Sequence, residues 1–246
     1  MSDRIRLDLA LEQRGLVPSR ARARDAILRG TVTINGSTAD KPNRMVGHDD
    51  RLALSDPAAN YVSRAALKLV AGLETGRIDP GGKVCLDIGA STGGFTQVLM
   101  ERGASRIYAV DVGHGQLHER LKGSDRVVSM EGVNARDLTV ELVPEPIDLL
   151  VSDVSFVSVT KVLAAPLTLC APQAEAVILF KPQFEVGRRN VGKGGIVTDQ
   201  IAIDAALADV IAFMAEQGFQ HRHSVTSPIS GGDGNVETVL VFARSI

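Results

Sequence analysis

The sequence contains two cysteines, no tryptophan and only 4% aromatic residues. Cys85 and Cys170 lie in the apolar stretches KVCLDI and LTLCAP, which favours buried thiols over a disulfide or a metal site. No apolar run approaches the ~20 residues that span a bilayer. The amino terminus, MSDRIRLDLALEQRG, carries charges where a signal peptide would be apolar. These absences predict a cytoplasmic protein that holds no metal and has no membrane partner.

What is present is enough for a sizeable core. The 246 residues are 44% hydrophobic, which predicts one large domain and a small one. The formal net charge is only −2, yet residues 19–30 (SRARARDAILRG) hold four arginines against one aspartate. This stretch predicts a basic helix that faces phosphate groups, and an ordinary solvated helix face is the alternative.

The first part of the chain reads as two short helices and a hairpin. Apolar residues recur at helical spacing over residues 4–16 and stop at Gly15, and Ser19 can cap a second helix. A short alternating segment then leads to Asn35-Gly36, which is the strongest short-range signal for a tight hairpin turn. These signals predict a small α+β module.

The order of RLD, GL, SR, the G-x-V-x-I-N-G hairpin and KP resembles the S4 RNA-binding domain. We expect this domain over residues 1–58, a linker at 59–63 and a larger domain over 64–246. The resemblance implies that the second helix and the hairpin form an RNA face, and a helical cap with surface arginines is the alternative. The expected RNA contacts in and beside this module are Arg4, Arg6, Arg20, Arg22, Arg24, Lys41 and Arg64.

From about residue 64 the chain alternates helix-like and strand-like segments, which predicts an α/β fold with a mostly parallel sheet. In such sheets ligands bind beyond the carboxyl ends of the strands. The predicted strands are VCLDIG (84–89), RIYAVDV (106–112), VVSMEG (127–132), IDLLVSDV (147–154) and AVILFK (176–181), with two more near RHSVTS and ETVLVFA.

A glycine-rich loop, DIGASTGGFTQVL, follows the first of these strands. Its glycines let the backbone approach a ligand, and Asp111, at the end of the next strand, is placed to hold ribose hydroxyls. NAD and S-adenosyl-L-methionine both fit this outline. The loop lacks G-x-G-x-x-G and carries an acid before its first glycine, which favours the cationic S-adenosyl-L-methionine. The predicted cofactor contacts are Asp87, Gly89, Ala90, Ser91, Gly93, Gly94, Phe95, Asp111, Asn134 and Asp153.

Two of these residues have a second interpretation. Asn134 can equally serve as a turn residue, and Asp87 can brace the loop instead of contacting the cofactor.

Four polar residues at helix starts and strand ends suggest the chemistry. Methyl transfer to an oxygen requires the alcohol to be aligned behind the methyl group and its proton to be removed. A lysine accepts that proton only as a neutral amine, which burial or a neighbouring cation favours. Lys181 follows a buried strand, Lys68 lies on a helix that leads into the domain, and the carboxylates Asp153 and Glu237 flank other strands. In a doubly wound sheet, Asp153 and Lys181 would lie on adjacent strand ends.

YVSRAALKL, CLDIGASTGGFTQVL, YAVDVGHGQL, SDVSF, ILFKPQFE and SPISGGDGNVETVLVF together resemble the TlyA (hemolysin A) family, which couples an S4 domain to an FtsJ-type methyltransferase domain. The resemblance implies a Rossmann-like class I methyltransferase with a seven-stranded, mostly parallel sheet. Its catalytic Lys-Asp-Lys-Glu set falls on Lys68, Asp153, Lys181 and Glu237. The implied activity is 2′-O-methylation of a cytidine ribose in ribosomal RNA, with ribosomal subunits as partners. Ser91-Thr92 replaces the Ala-Pro common in the broader FtsJ pattern, which affects the details of methionine binding.

Other functions are less well supported by the motifs. Amino-group methylation is disfavoured because the strand before Asp153 leads into DVSF and not into N-P-P-Y, and neither cysteine lies where a C5-methylating nucleophile would. A non-catalytic RNA-binding or ribosome-assembly factor is the alternative, and a membrane-active hemolysin is disfavoured. Arg188, Arg189 and Lys193, in a Gly-rich loop, would clamp RNA phosphates or belong to a solvated loop.

Overall fold

The computed structural model describes residues 4–231 and 234–244, and these form two units that divide between Asn60 and Tyr61. The linker proposed for residues 59–63 stays a prediction. Within the described ranges, no helix is long and apolar enough to cross a membrane.

Over the described residues 4–60, the first unit contains two helices and five short strands. Its elements are β1 (Ile5–Arg6), α1 (Leu7–Gln13), α2 (Arg20–Leu28), β2 (Val32–Ile34), β3 (Ser37–Thr38), β4 (Met45–Val46) and β5 (Leu52–Leu54). The helix predicted over residues 4–16 begins only at Leu7, because Ile5 and Arg6 pair with β4.

Two local signals in the first unit are confirmed. The hydroxyl of Ser19 accepts a hydrogen bond from the Arg22 amide and caps α2. Asn35 and Gly36 both have positive φ, 53° and 84°, as the two central residues of a type I′ turn require. This turn joins β2 to β3, so the predicted hairpin is present.

The second unit contains a seven-stranded sheet among the described residues. Its strands are β6 (Val84–Ile88), β7 (Arg106–Asp111), β8 (Val127–Glu131), β9 (Ile147–Ser152), β10 (Cys170–Phe180), β11 (Phe219–Thr226) and β12 (Thr238–Arg244). Their order is β11-β12-β10-β9-β6-β7-β8. Neighbouring strands in the series β8, β7, β6, β9 and β10 pair in parallel. Strand β12 runs antiparallel to both of its neighbours, β10 and β11. The predicted mostly parallel sheet is confirmed.

Helices cover both faces of this sheet. They are α3 (Ala66–Gly76), α4 (Gly94–Glu101), α5 (Glu119–Lys122), α6 (Val159–Val162), α7 (Ala164–Thr168), α8 (Pro182–Glu185) and α9 (Gln200–Glu216), with 3₁₀ turns at Ala135–Asp137, Arg188–Asn190 and Lys193–Gly195. Alternate strand residues point to opposite faces, so Leu179 packs in the cluster that contains α3 and α4, whereas Ile178 and Phe180 pack in the cluster that contains α9. Burial on both faces explains the unbroken apolar run at residues 176–180.

Helix α3 lies against the sheet so closely that Gly72 has no room for a side chain. A Cβ at this position would lie 2.5 Å from Cγ1 of Val177 and 2.8 Å from Cγ1 of Val239. We expect Gly72→Val to lower the free energy of unfolding by about 1–3 kcal/mol, because extra methyl groups in a packed core force neighbouring chains apart. Urea unfolding measures this. Glu74→Val, at an exposed position of the same helix, should cost less than about 1 kcal/mol. Equal losses for the two variants would contradict the packing argument.

Candidate active site

Four ionisable side chains meet at the edge of the sheet where the parallel strands end. Asp153 follows β9 and Lys181 follows β10. Glu237 precedes β12, and because β12 is antiparallel, its first residues lie where β10 ends. Lys68 lies in the first turn of α3. The fold therefore brings together the four residues that the sequence analysis grouped.

Their charges alternate along a chain of ion pairs. Lys68 Nζ lies 2.6 Å from Glu237 Oε2 and 3.5 Å from Asp153 Oδ2, and Lys181 Nζ lies 2.6 Å from Asp153 Oδ1. All four side chains are nearly enclosed, from 3% exposed for Glu237 to 13% for Asp153. Two cations and two carboxylates compensate one another, which is the condition under which buried charges are tolerated.

Lys181 has two further partners. Its Nζ donates to the backbone carbonyl of Asp153 at 3.3 Å and to the hydroxyl of Ser155 at 2.8 Å. The position of this amine is therefore set by the chain that follows β9.

Two adjoining cavities open at this edge. The lysine cavity, about 310 Å³, is lined by all four ionisable residues together with Phe95, Phe156 and Phe184. The Asp111 cavity, about 540 Å³, lies beside the ends of β6, β7 and β8. Residues on the border line both cavities, and these are Gly89, Ser91, Asp153, Ser155 and Phe156. A group bound in one cavity can thus reach a group bound in the other.

The glycine-rich loop after β6 forms part of both cavity walls. Gly89 has φ of 83°, and a Cβ there would meet Val154 atoms at 3.2 Å. Ser91 has φ of 48°, and its amide donates to Asp111 Oδ2 at 2.8 Å. Asp111 Oδ1 accepts from the Gly113 amide, also at 2.8 Å. Asp111 therefore ties the loops that follow β6 and β7 together while it lines the cavity.

Asp87 lies behind this loop and not on a cavity wall. It has no exposed surface, and one carboxylate oxygen accepts a hydrogen bond of 2.6 Å from the Thr96 hydroxyl on α4. Burial raises the pKa of Asp87 to about 7. This placement favours the bracing role that the sequence left open for Asp87.

The remaining predicted cofactor residues, except Gly93, divide between the two cavities. Ala90, Gly94 and Phe95 line the lysine cavity, whereas Gly93 packs behind the loop, where a Cβ would lie 2.2 Å from Leu121. Asn134 lines the Asp111 cavity, and its Oδ1 accepts from the Arg136 amide. Asn134 thus caps the 3₁₀ turn that follows and also faces the cavity.

A buried carboxylate in the first unit accepts hydrogen bonds from two of the arginines that were predicted to contact RNA. Asp8, at the start of α1, accepts hydrogen bonds from Arg6 Nε at 3.0 Å and Arg20 Nε at 2.9 Å. These bonds, first of all the one from Arg6, lower the pKa of Asp8 to about 2. Both arginines remain 41–50% exposed, so Asp8 holds two cations at the surface.

The other predicted RNA contacts lie in different surroundings. Arg4, Arg24 and Lys41 are exposed. Arg22 donates to the Ala58 carbonyl and is half-buried, and Arg64 is half-buried in the turn before α3.

The basic loop after α8 is held by a buried asparagine. Arg188, Arg189 and Lys193 are exposed on short 3₁₀ turns. Asn235 is 4% exposed, donates to the Gly195 carbonyl and accepts from the Val197 amide. Because Asn235 lies two residues before Glu237, one short segment supports both the loop and the ion-pair chain.

Among the residues of the lysine cavity that were not predicted from the sequence, four follow the ends of β9 and β10, namely Ser155, Phe156, Gln183 and Phe184. Phe156 is 91% exposed with φ of 67°, and its ring centroid lies 5.3 Å from that of Phe184. The sequence feature that could have identified these four residues is their position, two or three residues after Asp153 and Lys181 at the same strand ends.

Among residues 4–231 and 234–244, no group of His, Cys, Asp or Glu side chains could hold a metal ion.

The sheet order, the glycine-rich loop at its carboxyl edge and the adjoining cavities define a Rossmann-like methyltransferase fold. The chain belongs to the FtsJ-like methyltransferase family, whose model matches residues 61–244, and it carries an S4 domain at residues 5–52.

The sequence of this chain is similar to those of known proteins over nearly its full length. It is 44% identical to the 16S/23S rRNA (cytidine-2′-O)-methyltransferase TlyA of Mycobacterium tuberculosis, over 98% of this chain and 90% of that protein. It is 39% identical to Hemolysin A of Brachyspira hyodysenteriae, over 97% and 99%. A solved structure from Streptococcus thermophilus, which carries a provisional hemolysin name, matches with a TM-score of 0.76 and 35% identity and covers 100% of this chain and 90% of that one. The TlyA resemblance read from the motifs is confirmed.

Proposed function

We propose that this chain methylates the 2′-hydroxyl of a cytidine ribose in ribosomal RNA. The observation that carries the proposal is the ion-pair chain of Lys68, Asp153, Lys181 and Glu237 in a cavity that adjoins a second, larger one. The relative from M. tuberculosis supplies the substrate class, since its name gives cytidine 2′-O-methylation of 16S and 23S rRNA. An rRNA substrate implies a cytoplasmic site of action.

The Asp111 cavity fits S-adenosyl-L-methionine. The glycine backbone at Gly89 allows close approach, and the carboxylate of Asp111 faces the cavity at the end of β7, where ribose hydroxyls are bound in this fold. Asn134 offers an amide on the same wall. When bound, this cofactor supplies a methyl group on a sulfonium, which is a good leaving group for attack by an oxygen. The carboxylate of Asp153, on the border, would favour its positive charge.

The residues of the lysine cavity would orient and deprotonate the ribose hydroxyl. Lys181, as a neutral amine, would take the proton of the 2′-hydroxyl, and the cavity would align the 2′-oxygen with the methyl group that the bound cofactor supplies. Asp153 holds the amine in place and compensates the ammonium that forms. Lys68 separates Asp153 from Glu237 and so fixes the carboxylates in position.

RNA would reach this site by contacts to both units. We propose that the S4 domain supplies Arg4, Arg6, Arg20, Arg24 and Lys41. Asp8 keeps Arg6 and Arg20 extended at the surface. In the larger unit, Arg188, Arg189 and Lys193 lie on the loop that Asn235 anchors beside the catalytic residues. Backbone phosphate contacts of this kind position RNA without reading its sequence.

Asp111 allows a test of the cofactor assignment. We expect Asp111→Asn to weaken S-adenosyl-L-methionine binding about 10- to 100-fold, because hydrogen bonds to a charged group contribute about 1.5–3 kcal/mol. Isothermal titration calorimetry measures the dissociation constant. Asp125→Asn, at an exposed position, should bind as the wild type does. Unchanged binding by Asp111→Asn would place the cofactor elsewhere.

The proposed activity is tested by methyl transfer to isolated 30S and 50S ribosomal subunits. With tritiated S-adenosyl-L-methionine we expect label in rRNA, and nucleoside mass spectrometry should recover it as 2′-O-methylcytidine. Label in another nucleoside would contradict the substrate class. A protein that binds RNA but neither binds the cofactor nor transfers label would be a non-catalytic assembly factor.

A further inference from the structure

Ser155 lies on the border between the two cavities, and its hydroxyl contacts the amine of Lys181. The distance between Ser155 Oγ and Lys181 Nζ is 2.8 Å, and Ser155 is exposed. The side chain of Lys181 is only 7% exposed. An incoming hydroxyl therefore meets Ser155 more readily than it meets the lysine.

The partners of Lys181 also restrict where its lone pair can point. Three oxygens lie close to Lys181 Nζ, namely Asp153 Oδ1 at 2.6 Å, the Asp153 carbonyl at 3.3 Å and Ser155 Oγ at 2.8 Å. The first two groups are acceptors only and repel a lone pair. A hydroxyl both donates and accepts, so of these three neighbours Ser155 is the one that can donate a proton to the lone pair of a neutral Lys181.

The loop that carries Ser155 is fixed from its other end. Glu185, on α8, accepts hydrogen bonds from the Ser158 hydroxyl at 2.7 Å and from the Val159 amide at 2.9 Å. Because α8 starts directly after Lys181, these bonds tie the loop to the segment that positions the lysine. The loop is thus attached to β9 on one side and to Glu185 of α8 on the other, and these two attachments set the distance between Ser155 and Lys181.

We propose that Ser155 is a further catalytic residue that relays the proton from the substrate hydroxyl to Lys181. This inference rests on the proposed methyl transfer to a ribose hydroxyl. The 2′-O–H bond breaks and its proton passes to Ser155 Oγ, while the proton of Ser155 passes to Lys181 Nζ. The 2′-oxygen forms a bond to the methyl carbon, and the electron pair of the broken S–CH₃ bond stays on sulfur. Serine ends neutral and lysine ends as the ammonium that Asp153 compensates.

The test compares Ser155→Thr with Ser155→Val, which share a shape and differ in the hydroxyl group. In single-turnover methylation of ribosomal subunits, we expect Ser155→Thr to stay within about threefold of the wild type and Ser155→Val to be about 10- to 100-fold slower. Cofactor binding, measured by calorimetry, should be alike for all three proteins. Ser158→Ala removes one of the bonds that tie the same loop to Glu185 and so tests loop disturbance; it should be slower than the wild type and show the same dependence on solvent deuterium.

Solvent isotope effects distinguish a relay from simple positioning. Two protons in flight make the rate curve downward against the deuterium fraction of the solvent, which we expect for the wild type, Ser155→Thr and Ser158→Ala. A linear plot for the wild type, or a Ser155→Val rate within twofold of Ser155→Thr, would overturn the relay and indicate direct contact between the substrate and Lys181. If the wild type transfers no methyl group to rRNA, the proposed function fails instead.

Discussion

Lys181→Met is expected to slow methyl transfer by about 10²- to 10⁴-fold, the usual contribution of a positioned acid or base. Binding of S-adenosyl-L-methionine should change little, because Lys181 lines the lysine cavity and not the Asp111 cavity. Rapid-quench measurement of label transfer to ribosomal subunits, with calorimetry on the same protein, checks both statements.

Two control variants separate charge from proton transfer in this experiment. Lys181→Arg keeps a positive charge beside Asp153, but a guanidinium does not give up its proton in proteins, so this variant should remain as slow as Lys181→Met. Lys161→Met removes an exposed lysine on α6 and should leave the rate unchanged. Recovery of the rate by Lys181→Arg to within about tenfold of the wild type would show that Lys181 acts through its charge and accepts no proton.

Lys68→Met should have the largest effect on stability, lowering the free energy of unfolding by about 3–5 kcal/mol. Among the described residues, Lys68 is the one cation within 4.0 Å of Glu237. The side chain of Lys68 is 8% exposed, and that of Glu237 is 3% exposed. Its removal leaves a buried carboxylate without a partner. Urea unfolding of the full chain, followed through the transition of the larger unit, measures the loss.

A second variant and a matched pair sharpen this prediction. Lys68→Met combined with Glu237→Leu removes both charges and should be more stable than Lys68→Met alone, since no unpaired charge remains. Lys83 and Glu175 form an ion pair that is 27–28% exposed, and Lys83→Met should cost less than about 1 kcal/mol. A loss below about 1 kcal/mol for Lys68→Met would mean that solvent reaches Glu237.

The proximity of Asp153 and Lys181 could be predicted from the sequence, because the local residue pattern places each of them at the end of a strand. Each follows an apolar run read as a buried strand, and neighbouring parallel strands end at one edge. The convergence of Lys68 and Glu237 has no such local signal. It depends on β12 entering the sheet in the opposite direction beside β10, which long-range pairing decides. In the sequence, their residue types and the family resemblance grouped these two with the others, and no local pattern predicted that they converge.

Other differences have similar physical causes. Strand β10 begins at Cys170 and not near residue 176, because a register irregularity between Cys170 and Glu175 admits proline and polar residues that hide the pattern. The sequence left Asp87 open as a cofactor ligand or as a brace of the loop, because a linear pattern does not show that the loop turns at Gly89 and leaves Asp87 behind the cavity wall. Ser155 lacks a charge and therefore carried no signal by itself.

The antiparallel entry of β12 also determines when the site can form during synthesis. Among the described residues, β12 follows the other six strands of the sheet in the chain, and it fills the space between β10 and β11. A growing chain that has already made the glycine-rich loop, Asp153 and Lys181 still lacks this strand, so β10 has an open edge and Lys68 has no glutamate. The ion-pair chain that we propose as catalytic is therefore complete only after β12 has been synthesised and has inserted between β10 and β11.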